Sequence, residues 1–383
     1  MRISGIIFVV FMLPSVFNVT ATPGDEVIFR LQEIERRLQG RIVVEAQDSS
    51  LLFEARDGRL WIIKADQLVS KTDNEEIAPA LTAAEMEKQL LGELPEGFQI
   101  HSTDHFIIAY NTEKAYAKWL GGVYEQLFKG FSQYWERKRK FNLDEPKFPL
   151  VVIVYSSFDE YSAQVKRELG QDPGTMVAYY NLMTNRVIMF DLTSNFRSAG
   201  NAADTDRKIY EILANPNALA MVATVVHEGT HQLMFNMGMQ TRCADTPLWV
   251  NEGLAMFFET PDMESTKGWR TIGQVNPLRL ANFRQQLGSR VGGGGSLKNL
   301  LTNDMEFRDP QKTLALYAEA WALNYFLLTK HSKEYVAYLK VLSGKKPMMT
   351  DTPEQRLKDF ESAIGMDLAT LDAEFIEYIQ KLR

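Results

Sequence analysis

The stretch HEGTH contains two histidines four positions apart, with a glutamate directly after the first (His227, Glu228 and His231). Residues four apart on a helix share one face, with Cβ atoms about 5–6 Å apart. Two imidazoles at that spacing can converge on one metal ion, because Zn–N bonds are about 2.0–2.1 Å long. Two ligands do not complete a zinc site, so a third ligand must be found. The alternative is that two histidines merely share a helix face.

The sequence around the motif predicts a buried helix. Asn215 and Pro216 supply a cap and a proline at the first helical position, and Gly238 ends the helix. No charged residue occurs at positions 218–226, which predicts that most faces of the helix are buried. A buried carboxylate without a partner is strongly destabilising, so Glu228 needs one.

A second candidate helix follows in PLWVNEGLAMFFE (residues 247–259), and a Thr-Pro pair opens it. Glu252 lies among apolar residues of this helix, 21 positions after His231, so the intervening loop can return it beside the first helix. Two histidines and a glutamate with an open fourth position are typical of a catalytic zinc site and not of a closed structural one. The sequence therefore favours zinc as the cofactor.

These motifs resemble those of the gluzincin metallopeptidases, the clan of aminopeptidase N and thermolysin. HEGTH followed by WVNEGLA is similar to their HExxH, a spacer of about this length, and a glutamate in an NExxA-type helix. An uncharacterised family of exported bacterial peptidase-MA-like proteins is similar over more than the motif. That similarity includes AYYNLMTNRVIMFD and YAEAWALNYFLL and covers about residues 100–383.

The resemblance implies a zinc metallopeptidase in which His227, His231 and Glu252 bind Zn²⁺. Zinc in such a site polarises the peptide carbonyl and lowers the pKa of its water. Glu228 follows a ligand but is rotated off the ligand face, so it can take the proton of that water and pass it to the leaving amine. A purely structural zinc site has no need of this carboxylate.

The resemblance also implies a tyrosine that donates a hydrogen bond to the developing oxyanion, from a helix after the third ligand. Tyr317 is the candidate for this catalytic role, with Tyr325 as second choice. The alternative is a packing role, because Tyr317 begins an ordinary helical stripe with Trp321 and Asn324.

Two departures from the gluzincin pattern affect these expectations. The segment with which aminopeptidase N binds a free N-terminus is absent. The corresponding region is GTMVAYYN (residues 174–181), which contains no glutamate. The sequence therefore does not predict aminopeptidase action, although a hairpin there could align a peptide through its edge strand. Thermolysin-like enzymes carry an aspartate four positions after the glutamate ligand, where this chain has Met256. The acceptor that orients a histidine ligand must come from elsewhere.

The elements that position these residues predict an α+β fold. A small N-terminal β unit precedes a zincin-like domain with a mixed sheet, an active-site helix and a mostly helical C-terminal part. We expect a helix over residues 24–39, then strands at 41–46, 51–55 and 60–65 with a turn at Asp57-Gly58. The polar stretch 70–97 is interpreted as a linker, which divides the mature chain into residues 22–97 and 98–383.

In the second domain, residues 98–112 predict a strand. His101 and His105 would lie about 13 Å apart on it, so a structural role is expected for both. Thr112 is expected to cap a long helix that runs to about Lys140. A buried strand follows at residues 148–155, then a hairpin from 176–181 and 186–192. The glycine run at residues 292–295 lacks the features of a phosphate loop and is interpreted as a flexible loop.

The composition excludes several classes of function. The chain has 383 residues, 45% hydrophobic and 24% charged, with a net charge of −7. A negative net charge gives no general electrostatic attraction to nucleic acid or to an anionic membrane. An apolar stretch at residues 5–17 followed by Val-Thr-Ala predicts a signal peptide over residues 1–21. The mature protein is expected to be exported, periplasmic or extracellular, without stable membrane insertion.

The single cysteine, Cys243, excludes an intramolecular disulfide and is expected to be a small buried residue, with a regulatory thiol as the alternative. The function that these features favour is zinc-dependent cleavage of a peptide or protein substrate. A second hypothesis is a catalytically silent binding or scaffold protein that keeps zinc for folding. Cleavage preference, endo- or exopeptidase action and oligomeric state stay open.

Overall fold

The computed structural model describes residues 24–72, 78–196, 206–213, 216–259, 272–290 and 295–382. They form a mixed α+β structure with two five-stranded sheets and a C-terminal part made mostly of helices. The fold class predicted from the sequence is confirmed. The predicted signal peptide, the Asn215 cap and most of the glycine run lie outside the described residues. Within these ranges, none of the helices combines the length and the apolar character needed to cross a membrane.

The first sheet is antiparallel throughout, and its strand order is β4-β3-β2-β1-β5. Its own small core includes Val27, Phe29 and Phe53. We refer to these five strands as the N-terminal module. The strands are β1 (Asp25–Leu31), β2 (Ile34–Glu45), β3 (Leu51–Ala55), β4 (Leu60–Ile63) and β5 (Leu68–Thr72).

The helix predicted over residues 24–39 was wrong, because β1 and β2 form a hairpin there. Val27 and Phe29 are buried while the residues beside them are more exposed, which is the two-residue period of a strand. The turn consists of Gln32 and Glu33, with φ values of 49° and 64°. A two-residue hairpin turn of this kind needs positive φ at both positions and is usually marked by Asn-Gly. Neither residue type occurs here, so the turn left no sequence signal.

The second sheet is mixed, with strand order β6-β7-β8-β10-β9. The central strands β7, β8 and β10 run parallel, and an antiparallel neighbour flanks them on each side. The predicted hairpin is confirmed as β9 and β10, which leaves β9 at the edge. The strands are β6 (Gln99–Ser102), β7 (Phe106–Tyr110), β8 (Leu150–Tyr155), β9 (Ala178–Asn181) and β10 (Arg186–Phe190).

The single strand predicted over residues 98–112 is instead the hairpin of β6 and β7. Its turn is held by polar contacts that the alternation pattern does not reveal. Glu125 accepts a hydrogen bond from the His105 backbone N–H and contacts His105 Nδ1, both at 2.8 Å. The His105 ring also stacks on Phe128 with centroids 3.7 Å apart. These contacts give His105 the structural role expected for it.

The α-helices of the described ranges dominate the second half of the chain. They are α1 (Ala83–Glu93), α2 (Lys114–Ser132), α3 (Phe158–Leu169), α4 (Asp206–Leu213), α5 (Pro216–Asn236), α6 (Leu248–Phe258), α7 (Pro277–Arg290), α8 (Gly295–Thr302), α9 (Thr313–Lys330), α10 (Ser332–Ser343), α11 (Pro353–Ile364) and α12 (Leu368–Lys381). A π-helical turn, Gln133–Lys138, extends α2, and 3-10 turns form Leu192–Phe196 and Asp304–Arg308.

Two helix starts differ from the sequence prediction. Glu113 and not Thr112 is the cap residue of α2, because the Thr112 hydroxyl bonds to Asp191 instead. Helix α6 begins one residue later than expected, with Pro247 at the cap position. Its first N–H, on Leu248, donates to Asp304 Oδ1 at 2.9 Å. The stretch interpreted as a linker contains α1, which packs into the large core of the second sheet.

The helices that carry the site pack closely. Helix α5 contacts β9, β10, α2 and α6, and α6 lies against α9. Gly229 lies where α5 meets α2, and a methyl group there would overlap the Tyr124 ring. Gly253 lies where α6 meets α9, and a methyl group there would lie 2.6 Å from the Ala320 carbonyl oxygen. Both glycines therefore permit helix contacts that no larger residue allows.

Candidate metal centre

Helices α5 and α6 bring His227, His231 and Glu252 together, as the sequence predicted. The Nε2 atoms of the two histidines are 3.1 Å apart. His227 Nε2 lies 3.2 Å from Glu252 Oε2, and His231 Nε2 lies 3.7 Å from Glu252 Oε1. Exposed fractions of the side chains are 2%, 11% and 12% in chain order. The three groups thus converge in a nearly buried cluster.

The geometry of this cluster fits a tetrahedral metal ion. Zinc with bonds of about 2.0–2.1 Å holds its ligand atoms about 3.3–3.4 Å apart. The distances between the donor atoms here, 3.1 to 3.7 Å, bracket that value. Two imidazoles and one carboxylate are also a donor set that zinc accepts. These three residues therefore fit a zinc ion and would supply three of its four ligands.

The electrostatics of the cluster suit a cation. Burial lowers the pKa of His231 to about 4, which keeps its imidazole in the neutral form that binds metals. Burial also opposes a charge on His227, but its hydrogen bonds to Glu252 and Glu259 outweigh that effect and raise its pKa. The pKa of Glu252 is lowered by its two histidine neighbours in spite of burial. The carboxylates thus stabilise positive charge at His227, whereas His231 stays neutral.

Glu228 lies beside the cluster but outside the ligand set. Its Oε2 accepts a hydrogen bond from the backbone N–H of Tyr180 on the edge strand β9, at 2.8 Å. Burial, with the nearby charge of Glu252, raises the pKa of Glu228 to about 7. A carboxyl group with a pKa near neutrality can both accept and release a proton at that pH.

The structure places the two tyrosine candidates, Tyr317 and Tyr325, in different surroundings. Tyr317 on α9 is buried, and burial together with the nearby Glu252 carboxylate raises its pKa well above the ordinary value. Tyr325 lies two turns further along α9 and stacks on Tyr378 of the C-terminal helix. The structure therefore places Tyr317 at the cluster and Tyr325 in a separate aromatic contact.

The acceptor that the sequence analysis could not identify for a histidine ligand is Glu259. Its Oε2 lies 3.3 Å from His227 Nδ1. The same carboxylate accepts hydrogen bonds from Asn276 Nδ2 at 2.9 Å and Arg279 Nε at 3.1 Å. Met256, at the position of the expected aspartate, is fully buried. Glu259 follows Glu252 by seven positions, or two helical turns, so an acidic residue returning to the ligand face was the available signal.

We expect Glu259→Gln to weaken zinc binding about 10- to 100-fold, because a carboxylate that orients a histidine ligand also raises its basicity. Competition with a chromogenic chelator measures the affinity. Glu306→Gln is the matched control, since Glu306 accepts a hydrogen bond from Asn299 away from the cluster. Equal zinc affinities for the two variants would contradict the role assigned to Glu259.

Cys243 lies in the loop between α5 and α6. It is partly buried, and burial raises the pKa of its thiol. A thiol in that state is a poor nucleophile. Cys243 is thus less buried than the sequence predicted, and its raised pKa does not favour the alternative of a regulatory thiol.

Residues 221–349 match the model of a family described as a protein of unknown function (DUF1570). The match covers about a third of the chain and includes His227, His231, Glu252 and Tyr317. No curated protein matches the chain. The similarity thus coincides with the ligand cluster and Tyr317 and begins after the N-terminal module and β9.

Proposed function

We propose that this protein is a zinc metallopeptidase of the gluzincin type that hydrolyses peptide bonds. The observation that supports this most strongly is the position of Glu228. It adjoins three converging ligands, yet it is turned to the edge strand β9 and takes no part in the ligand set. A zinc site that serves folding alone has no use for a buried carboxylate of this kind.

In the proposed reaction His227, His231 and Glu252 would hold zinc. When bound, zinc supplies Lewis-acid chemistry that polarises the peptide carbonyl and acidifies water. Glu228 takes a proton from the attacking water as the water oxygen bonds to the carbonyl carbon. The C–N bond then breaks, and Glu228 gives that proton to the amine nitrogen.

Tyr317 and Glu259 would assist through different ligands, Tyr317 beside Glu252 and Glu259 beside His227. The Tyr317 hydroxyl lies beside Glu252, where it can donate a hydrogen bond to the carbonyl oxygen as that oxygen becomes negative. Glu259 contacts His227 Nδ1 and so leaves Nε2 facing Glu252 and His231, where it would bind a metal ion. The substrate would be a peptide or protein that pairs with the outer edge of β9.

We further propose that the protein acts outside the cytoplasm. The apolar stretch at residues 5–17 and the small residues before position 22 support export by a signal peptide.

The test is zinc-dependent hydrolysis of a defined peptide mixture by the mature chain. We expect one zinc per chain by elemental analysis, cleavage that stops after chelation, and recovery on adding Zn²⁺. Zinc at one per chain without cleavage would contradict the peptidase and favour a scaffold protein with a structural zinc. A chain that binds no zinc would contradict both.

A further inference from the structure

The outer edge of β9 ends at a buried arginine. Arg242, in the loop between α5 and α6, has an exposed side-chain fraction of 9%. Its Nη1 donates to the carbonyl oxygen of Leu182 at 3.3 Å and to that of Gly58 at 2.7 Å. Its Nη2 donates to Glu54 Oε1 at 3.1 Å. One guanidinium thus joins the end of β9 to the N-terminal module.

The backbone groups of β9 alternate between its partner strand and its open edge. Tyr180 N–H donates to Glu228 and therefore points away from β10. By the same alternation, Ala178 presents its backbone groups to the open side. Leu182 lies just beyond the last residue of β9, in the turn, where its carbonyl oxygen accepts from Arg242. No strand of the described residues pairs with the open side. An added peptide strand can therefore pair with Ala178 and with the carbonyl of Tyr180, whose N–H is bound to Glu228. Beyond the end of β9 it meets the Leu182 carbonyl, which Arg242 already occupies.

The N-terminal module keeps this arginine in place. Glu54, its carboxylate partner, is itself held by Lys147 at 2.7 Å and Arg41 at 3.1 Å. The backbone N–H of Leu60 also donates to the Met183 carbonyl at 2.7 Å, which joins strand β4 to the turn after β9. A buried guanidinium with a carboxylate partner resists displacement, because removal leaves an unpaired buried charge.

This arrangement limits the substrate on one side of the cleaved bond. Antiparallel pairing is the more stable arrangement for an added strand. A peptide antiparallel to β9 has its N-terminal part at Leu182, while the bond to be cleaved lies opposite Glu228. Strand residues advance about 3.3 Å each, so the two steps from Tyr180 to Leu182 leave room for about two or three residues.

We propose that this protein cleaves peptides near their N-terminal end, and that Arg242 is the residue that limits the N-terminal side of the cleaved bond to about three residues. The inference rests on the proposed peptidase function. It concerns specificity, and Arg242 contacts neither the ligands nor Glu228 among the contacts described for it.

The experiment maps cleavage sites by mass spectrometry in a mixture of peptides of about twelve residues, with the mature zinc-loaded chain. Wild type is expected to cut within about three residues of the N-terminus. In Arg242→Ala, cleavage of internal bonds relative to these terminal ones should rise about tenfold, the equivalent of one or two extra main-chain hydrogen bonds. Lys147→Met is the matched control, because Lys147 also binds Glu54 but does not contact Leu182.

A second measurement needs no variant. Phosphinic peptides, which fix the register at the metal, are extended by one to five residues on the N-terminal side. Wild-type affinity should increase up to about three residues and then level off or fall. Four results would overturn the proposal. They are wild-type cleavage of internal bonds, cleavage sites that cluster near the C-terminus, inhibitor affinity that still grows through five residues, and a cleavage pattern that is unchanged in Arg242→Ala. A zinc-loaded chain that cleaves nothing and binds no phosphinic peptide would instead refute the peptidase function itself.

Discussion

Glu228→Gln is expected to lower kcat for peptide hydrolysis by about a hundred- to ten-thousandfold, the usual contribution of a positioned general base. Glutamine has nearly the same shape and can still accept the hydrogen bond from Tyr180 N–H. It cannot take a proton from water. Because Glu228 lies outside the ligand cluster, zinc should stay at one per chain. Steady-state hydrolysis together with elemental analysis measures both quantities on one preparation.

Glu374→Gln is the control, since Glu374 pairs with His331 and its side chain has an exposed fraction of 47%. That variant should retain wild-type kcat and zinc content. Full activity in Glu228→Gln would remove Glu228 from the mechanism. Loss of zinc in Glu228→Gln would mean that the carboxylate serves the metal and not the water.

Gly253→Ala is expected to destabilise the protein by about 2–3 kcal/mol, since overpacking a close helix contact costs about 1–3 kcal/mol or more. The new methyl group would overlap the Asn324 side chain and approach the Ala320 carbonyl oxygen to 2.6 Å. Asn324 is itself fixed by hydrogen bonds to the Trp249 and Ala320 carbonyls at 2.9 and 2.8 Å. Because α6 would have to move with Glu252 on it, zinc affinity should fall as well.

Gly122→Ala is the matched control for this change. Gly122 also lies inside a helix, α2, but a methyl group there meets no atom within 4 Å. Alanine should stabilise that helix by about 0.5–1 kcal/mol, so the two substitutions have opposite signs. Urea denaturation at a constant m value measures both. Equal stabilities for the two variants would show that the contact between α6 and α9 can open without cost.

Local patterns predicted those elements whose physical cause is local. The mixed sheet, the β9–β10 hairpin and the helices α5 and α6 follow from apolar period, turn residues and end signals within a few positions. Two predicted elements, the helix over residues 24–39 and the single strand over residues 98–112, were wrong because each contains a turn without the usual turn residues or with a partner elsewhere in the chain. The β1–β2 turn uses Gln32 and Glu33 at positive φ, and the β6–β7 turn is held by Glu125 from α2.

The cluster of His227, His231 and Glu252 was predictable for a similar reason. The spacing of His227 and His231 places both on one helix face whatever the rest of the chain does. Glu252 needed one further assumption, that the loop after α5 returns α6 beside it. Tyr317 needed another, since two tyrosines stood eight positions apart on one buried helix. The packing of α9 against α6 decided between them.

The sequence alone thus determined the candidate ligands, the candidate base and the α+β class, because each depends on residue types at short spacing. Only the tertiary structure showed that Glu259 supports His227, and that Asn276 and Arg279 hold Glu259 in turn. It likewise showed that Arg242 joins the end of β9 to a module whose nearest contact, Gly58, lies far away along the chain. Such contacts depend on how helices and loops that are distant in sequence pack together. Residue types at a fixed spacing do not predict that packing.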